Sequence, residues 1–341
     1  MKARRIGTAA VLAAVVVAAA IGATTSEGAT GGHAAKPLVV LVTDIGQLND
    51  HGFNQLAYAG LKRAQSTLGI DGRVYQSASN QDYIPNLARA AQQHAALVIS
   101  VGFDQANAIA VAAKKFPATH FAIVDVDQSS LTGKPKNVEG LIFREQQVGY
   151  LAGYLAGLVE KARGAEATIG SVGGEKQPPV DRYIAGYQAG ARKADPNVKT
   201  VNAYSQDWVD QAKCKVAALN EIAQGANVVF QVAGGCGLGV LDAAKQKHVW
   251  GIGVDADQSY LGPQVLTSAM KRVDNSVYAT IQSVVRGTFH GGGNAVFDLR
   301  NDGVGLGMIS PKVPYADVLK VRAIARAIAA GKIRSIPTTV P

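Results

Sequence analysis

Cysteine, tryptophan and methionine are scarce in this 341-residue chain, at two, two and three copies, and only 6% of the residues are aromatic. One apolar run alone approaches the length of a membrane-spanning helix, and it lies at the N-terminus, so a polytopic membrane protein is excluded. There is no long low-complexity tract, and 48% of the residues are hydrophobic, which excludes a disordered chain or a fibre. No block of five or more basic residues occurs. The formal charge is +9, of which Lys2, Arg4 and Arg5 supply three. The remaining excess is dispersed, which suits solubility better than a nucleic-acid partner. The chain also lacks G-x-S-x-G, H-E-x-x-H, an EF-hand loop and any cysteine cluster. Ser100 and Ser171 lie at strand ends with no histidine in a triad-like context. Neither nucleophilic nor metal-assisted catalysis has its residues, so no enzyme and no cofactor are expected.

What is present begins with a leader. Met1-Lys2-Ala3-Arg4-Arg5 precedes an apolar run of about 16 residues, and small residues follow. Residues 1–29 therefore read as a secretory signal and tether, with cleavage after Ala23 or Ala29. A short uncleaved anchor is the alternative. No cysteine follows the run, since the first is Cys214, so the expected location is periplasmic or extracellular at the cell surface, without a lipid anchor. Export places Cys214 and Cys236 in an oxidising compartment. They form one disulfide, closing a loop of about 23 residues and worth roughly 3 kcal/mol, or remain as two buried thiols. As neighbours in one strand–helix unit, they are expected to be close enough to pair.

From Pro37 onward, short β-branched runs alternate with helical stretches. PLVVLVT (37–43), GRVYQ (72–76), ALVISVG (96–102), HFAIVDV (120–126) and VEGLIF (138–143) form one series. ATIGSVGG (167–174), VKTVNAY (198–204), ANVVFQVAGG (226–235), VWGIGVD (249–255) and QVLTSAM (264–270) form a second. This pattern predicts a parallel α/β architecture of two Rossmann-like lobes. Lobe 1 is expected over 37–144 plus about 257–290, and lobe 2 over 145–256 plus about 291–341. The crossovers are expected near 143–146, 255–258 and 288–294.

Ligands of open α/β sheets bind beyond the C-terminal strand ends. Those ends carry Asp44 to Asn54, Gly102 to Asn107, Asp125, Gly173-Gly174, Tyr204 to Trp208, Gly234-Gly235, and Asp255 to Gln258. They are rich in carboxylates, amides and aromatics, and could grip a polar, planar ligand. GGCGLG (234–239) misses the G-x-G-x-x-G spacing and reads as a strand end where backbone approaches a ligand or helix closely. In TDIGQLNDHGFN (43–54), Asp44, Asp50 and Asn54 could hydrogen-bond a ligand and Phe53 could stack on it. The plainer reading is a helix cap plus a core Phe.

T-D-x-G-x-x-N-D-x-G-F-N (43–54), HFAIVD (120–125), E-x-x-x-G-Y-L-A-G (145–153), Y-I-A-G-Y-x-A-G (183–190), VFQVAGGCGLGV (229–240), IGVDADQ (252–258) and VLTSAMKRVD (265–274) stand in order along the chain. Together they resemble the basic membrane protein family, substrate-binding proteins of ABC importers whose best understood branch binds purine nucleosides. The resemblance runs from about Pro37 to Pro341. It implies a type I periplasmic-binding fold, with two lobes joined by three crossovers that close on a nucleoside. By position, Asp50, Phe53 and Asn54 would hold or stack on the base, and Asp125 would add a carboxylate. Trp208, with Phe230 as second candidate, would face Phe53. Gly234, Asp255 and Lys271 would take the ribose hydroxyls, with Asp255 and Lys271 neutralising each other. Asn107 stands where many members have Asp, and Asn49 where an Asp–Asp pair is common; the family's lipid-bearing cysteine is absent. The implied partners are a nucleoside and an ABC permease, for a monomer with no nucleic acid. The rival readings are capture of another small polar ligand, such as a sugar or signalling metabolite, and an extracellular nucleoside hydrolase.

Overall fold

A computed structural model describes residues 35–164 and 166–340. The expected signal and tether fall on residues outside that range. The first sheet contains β1 (Leu38–Val42), β2 (Asp71–Tyr75), β3 (Leu97–Ser100), β4 (His120–Val124), β5 (Val138–Phe143) and β11 (Asn294–Phe297), in the order β11-β5-β4-β3-β1-β2. All its pairings are parallel. The second contains β6 (Thr168–Gly173), β7 (Lys199–Tyr204), β8 (Val228–Val232), β9 (Trp250–Asp255), β10 (Val265–Lys271) and β12 (Val304–Leu306), in the order β12-β10-β9-β8-β6-β7. Only β12 runs antiparallel, against β10. The central strands β3 and β8 are buried along their whole length, as the runs of Val, Ile and Leu in a sheet covered on both faces require.

The helices are α1 (Phe53–Leu68), α2 (Tyr83–Gln92), α3 (Ala106–Lys115), α4 (Glu145–Arg163), α5 (Pro178–Ala194), α6 (Gln211–Ala223), α7 (Leu238–Lys247), α8 (Val273–Val285) and α9 (Tyr315–Ala329). Two of them change sides. α4 leaves the first sheet after β5 and packs on α5 of the second lobe; α8 leaves the second sheet after β10 and packs on α1 of the first. The α4–α5 seam is lined with glycine. A Cβ at Gly153 would stand 1.8 Å from the Tyr187 carbonyl oxygen, and one at Gly190 would stand 2.0 Å from that of Tyr150. These residues let the two backbones touch, which is why both helices carry a small residue every fourth position.

The chain therefore crosses between sheets at Arg144, at Arg272 and between β11 and β12. The first matches the expected crossover, and the other two correct the expected lobe boundaries. β10 belongs to the second sheet, so residues 265–271 leave lobe 1, whereas β11 returns to the first sheet, so residues 294–297 leave lobe 2. Strand–helix alternation records that a strand exists and not which sheet it joins. β12 and α9 had no counterpart in the sequence reading.

The two sheets share an order and also a loop. Val-Asp-Val-Asp-Gln-Ser at 124–129 follows β4, and Val-Asp-Ala-Asp-Gln-Ser at 254–259 follows β9. In each, the second Asp accepts from the backbone N–H of the Ser two residues on, and a short 3-10 turn follows. The first Asp of each, Asp125 and Asp255, has a left-handed backbone at φ 72° and 62°. Non-glycine residues rarely adopt it, and such strain concentrates at functional positions.

Candidate functional site

The C-terminal strand ends of both sheets border a cavity, the place where open α/β sheets take ligands. Nine of the ten expected residues line it: Asp44, Asp50, Phe53, Asn54, Asp125, Trp208, Gly234, Asp255 and Lys271. The tenth, Asn107, is a correction. It is exposed on α3, a turn beyond the strand end. The chain winds into a 3-10 turn immediately after Gly102, so Phe103 and Asp104 reach the cavity instead.

The loop after β1 is held by its own polar groups. Asp50 accepts from the backbone N–H groups of Gly52, Asn54 and Gln55 at 3.0, 2.7 and 3.1 Å, which caps the start of α1. The Asn54 amide donates to Asp44 at 2.7 Å and to Asp50 at 3.3 Å. Asp50 thus spends its oxygens on the loop and sets the positions of Phe53 and Asn54. The segment thus caps the start of α1 and also borders the cavity. The Asn54 Oδ1 is buried without a partner. Burial pushes the Asp44 carboxyl up to about 7, against the hydrogen bonds from Asn54 and Gly46, which pull it down.

At the back of the cavity Lys271, 2% exposed, lies 2.6 Å from Asp125 Oδ2 and 3.0 Å from Glu145 Oε1. Glu145 also receives Arg182 at 2.6 Å. The ammonium sits 5.0, 5.2 and 5.9 Å from the ring centres of Phe143, Phe53 and Tyr183. Its burial pushes the Lys271 pKa down, but Asp125, Glu145 and Asp255 outweigh that and raise it. Lys271 does not pair with Asp255, as had been expected. Asp255 instead accepts from the Tyr183 hydroxyl at 3.3 Å. Burial takes the Asp255 carboxyl up to about 7, with Lys271 opposing and Asp125 and Asp50 adding to the rise. Asp125 Oδ1 is buried with no partner.

Trp208 closes the opposite wall. Its ring meets Phe103 edge-on at 5.7 Å, and its buried indole N–H has no partner. A Cβ at Gly174 would stand 2.4 Å from the indole, so Gly174, just after β6, is what admits the ring. Phe230, the second candidate for this wall, is fully buried between Tyr183 and Tyr187 and is a core residue. Within the strand end 102–107, sequence reasoning singled out Asn107 and passed over Phe103 and Asp104, and it missed Pro179, Val180 and Tyr183 altogether; all five line the cavity. The signal for the first two was their place directly after Gly102. Tyr183 lies on a helix whose spacing reads as a core face, so its hydroxyl gave none.

This cavity presents five carboxylates, one already neutralised cation and aromatic rings from both lobes. Such a lining accepts hydrogen bonds from a neutral or cationic ligand with hydroxyl or N–H donors, and it repels anions.

A family model described as ABC transporter substrate-binding protein PnrA-like, named Bmp, matches residues 38–337. A Lactococcus lactis protein named ABC transporter nucleoside-binding protein BmpA is 34% identical over 331 residues, covering 90% of this chain and 92% of its own. Basic membrane protein D of Borreliella burgdorferi is 31% identical over 274 residues, covering 79% and 78%. Among solved structures, an ABC transporter solute-binding protein of Aeropyrum pernix superposes with a TM-score of 0.79 at 26% identity, covering 88% of this chain and 94% of its own. These relatives correct the expected location. An uncharacterized protein of Pyrococcus horikoshii, 32% identical and covering 91% of this chain and 78% of its own, is named a lipoprotein, as are two further Pyrococcus relatives. Lipoproteins are held at the membrane, so these relatives run against a location without a lipid anchor. That expectation rested on a missing cysteine near the N-terminus, and an absence carries no information on how a mature chain is held.

Proposed function

The chain belongs to the Bmp family of PnrA-like ABC transporter substrate-binding proteins, and from that premise we propose that it captures a nucleoside, with purines favoured, and delivers it without catalysis. The observation that carries the reading is one cavity lined by Phe53 from the first lobe and Trp208 from the second, together with Asp125 and Asp255. Two ring faces suit one planar base, and stacking is worth ~1–3 kcal/mol per base. Purines offer the larger surface. Ribose hydroxyls donate to Asp255, and a charge-assisted bond of this kind is stronger than a neutral one. The unpartnered Asn54 Oδ1, Asp125 Oδ1 and Trp208 N–H are the groups left to read the base, since a buried polar atom without a partner costs about 1–3 kcal/mol that a matching ligand recovers. The Lactococcus relative's printed name supports the same class of ligand.

Calorimetry of ligand-stripped protein against purine and pyrimidine nucleosides, a pentose and a hexose tests it. A purine nucleoside is expected to bind with Kd below about 100 μM, or roughly −5.5 kcal/mol. Binding of the sugars alone would replace the nucleoside by another polar ligand. Release of free base during the titration would mean hydrolysis.

A further inference from the structure

Cys214 and Cys236 form a disulfide with Cα atoms 5.6 Å apart, and both are fully buried. It joins the second turn of α6 to the glycine-rich turn that follows β8. The loop that carries Trp208 leads directly into α6, six residues before Cys214, and its backbone lies against the turn that holds Cys236. The Cys236 backbone N–H donates to the Trp208 carbonyl at 2.9 Å. The Cys236 sulfur contacts the Asp210 carbonyl at 2.9 Å. Gly234 and Gly235, which line the cavity, lie so close that a Cβ on either would stand 3.5 and 3.4 Å from that same Trp208 oxygen. The first lobe builds the matching α/β unit, from β2 through α2 and β3 to the turn at Phe103, with no cysteine. A crosslink is therefore not a requirement of this unit of the fold. It occurs in the lobe where the loop must hold a ring against the ligand.

We propose that the Cys214–Cys236 disulfide is a positioning device for the ligand site, pinning the Trp208 loop against the Gly234-Gly235 turn before ligand arrives. The proposal rests on the binding role of the cavity, and a part of its test needs no ligand. Dithiothreitol breaks the S–S bond by thiol–disulfide exchange. Its two thiols are oxidised to a cyclic disulfide, and Cys214 and Cys236 each gain one electron and one proton. The loop then keeps its backbone contacts and loses its covalent tie.

The experiment uses Trp250→Phe protein, which leaves Trp208 as the only indole. Acrylamide quenching, thermal unfolding and affinity for a purine nucleoside are measured before and after reduction, and in the Cys214→Ser/Cys236→Ser form. Val229→Ala, a core truncation in β8, serves as a control matched for lost stability. Reduction is expected to raise Trp208 quenching at least about twofold and to weaken affinity roughly tenfold, since a loop ordered only on binding subtracts from affinity. Val229→Ala is expected to leave both nearly unchanged. Unchanged quenching in the reduced and serine forms would overturn the proposal. So would an equal loss of affinity in Val229→Ala, which would make the crosslink a stabiliser only. If no nucleoside binds even the oxidised protein, the functional reading fails, and quenching alone decides the role of the disulfide. If the serine form does not fold, the reduced wild-type cysteines carry the test.

Discussion

Asp125 and Asp255 end equivalent strands of the two sheets, precede the same Asp-Gln-Ser turn and share a left-handed backbone. Their surroundings separate them. Asp125 has Lys271 at 2.6 Å and shares it with Glu145, with Arg182 behind. Asp255 has a tyrosine hydroxyl at 3.3 Å and, among the described residues, no cation in pairing distance. The difference arises at the crossovers. Lys271 is the last residue of β10, on the second sheet, but it points across at the first lobe's Asp, and Glu145 opens the helix that leaves the first sheet. A repeated backbone has thus been given two electrostatic tasks. One Asp belongs to a buried charge cluster that ties the lobes together where the chain crosses. The other lines the cavity and accepts from a tyrosine hydroxyl.

The largest expected effect comes from breaking the tied half. Lys271→Met leaves Asp125 and Glu145 facing each other without their cation, and removing one partner of a buried pair typically costs about 3–5 kcal/mol. Urea denaturation at pH 7 should show that loss; a variant as stable as wild type would mean that the cluster contributes nothing net. The second effect concerns the free half. Asp255→Asn should weaken nucleoside binding by ~2 kcal/mol, roughly thirtyfold, with stability unchanged or slightly higher. Asp125→Asn should do the reverse and lose stability first. Equal stability losses in the two variants would erase the distinction between the lobes.

A pH series sharpens the same contrast. Asp255 and Asp44 are both raised to about 7 from an ordinary value near 3.8. A carboxyl whose pKa is raised by folding contributes stability that is complete below its unfolded value and lost as pH rises through its folded one. These two groups should therefore lower stability between about pH 4 and pH 7. Ligand affinity should run the other way. If hydroxyls donate to an ionised Asp255, binding weakens as pH falls below about 7, at most tenfold per pH unit for one such group. Calorimetry from pH 5 to pH 8 reads the slope, and Asp255→Asn should flatten it.

The smallest effect lies beneath the second sheet. Glu221 of α6 is buried against Gly170, and burial pushes its carboxyl up to about 8, with the Ala203 backbone N–H opposing weakly. Glu221→Gln should gain about 1 kcal/mol at pH 9. The gain should shrink as pH falls from about 8 towards the ordinary value of 4.5 and vanish below it. A gain constant with pH would assign it to packing.

The order of strands and helices, and most of the cavity lining, could be read from the chain, because each rests on local pattern. Apolar runs such as VVLV at 39–42 become buried strands, and polar residues at their ends become the rim. What could not be read depends on which parts meet. Nothing near residue 271 says that its lysine faces Asp125 and not Asp255. Nothing in the spacing of α5 separates Tyr183, which turns its hydroxyl to the cavity, from Tyr187, which stays in the core. Asn107 was chosen by spacing from the family pattern, and the tight turn at Phe103 moved the cavity-facing acid three residues earlier. The lobe boundaries failed for the same reason: β10 and β11 each read as a strand, and only their partners reveal that they lie in different sheets.

The exchange of helices also bears on the order in which the molecule can be completed. A chain made from its N-terminus has β1 to β5 in hand by Phe143, yet the helix that covers α1 arrives only at Val273 and the edge strand beside β5 only at Asn294. The second lobe obtains α4 almost at once, next to α5. Contacts this distant along the chain form slowly. The first half of the molecule to be synthesised therefore waits until Phe297 to be finished, and until then its α1 face and the edge of β5 are left open to whatever holds unfinished chains.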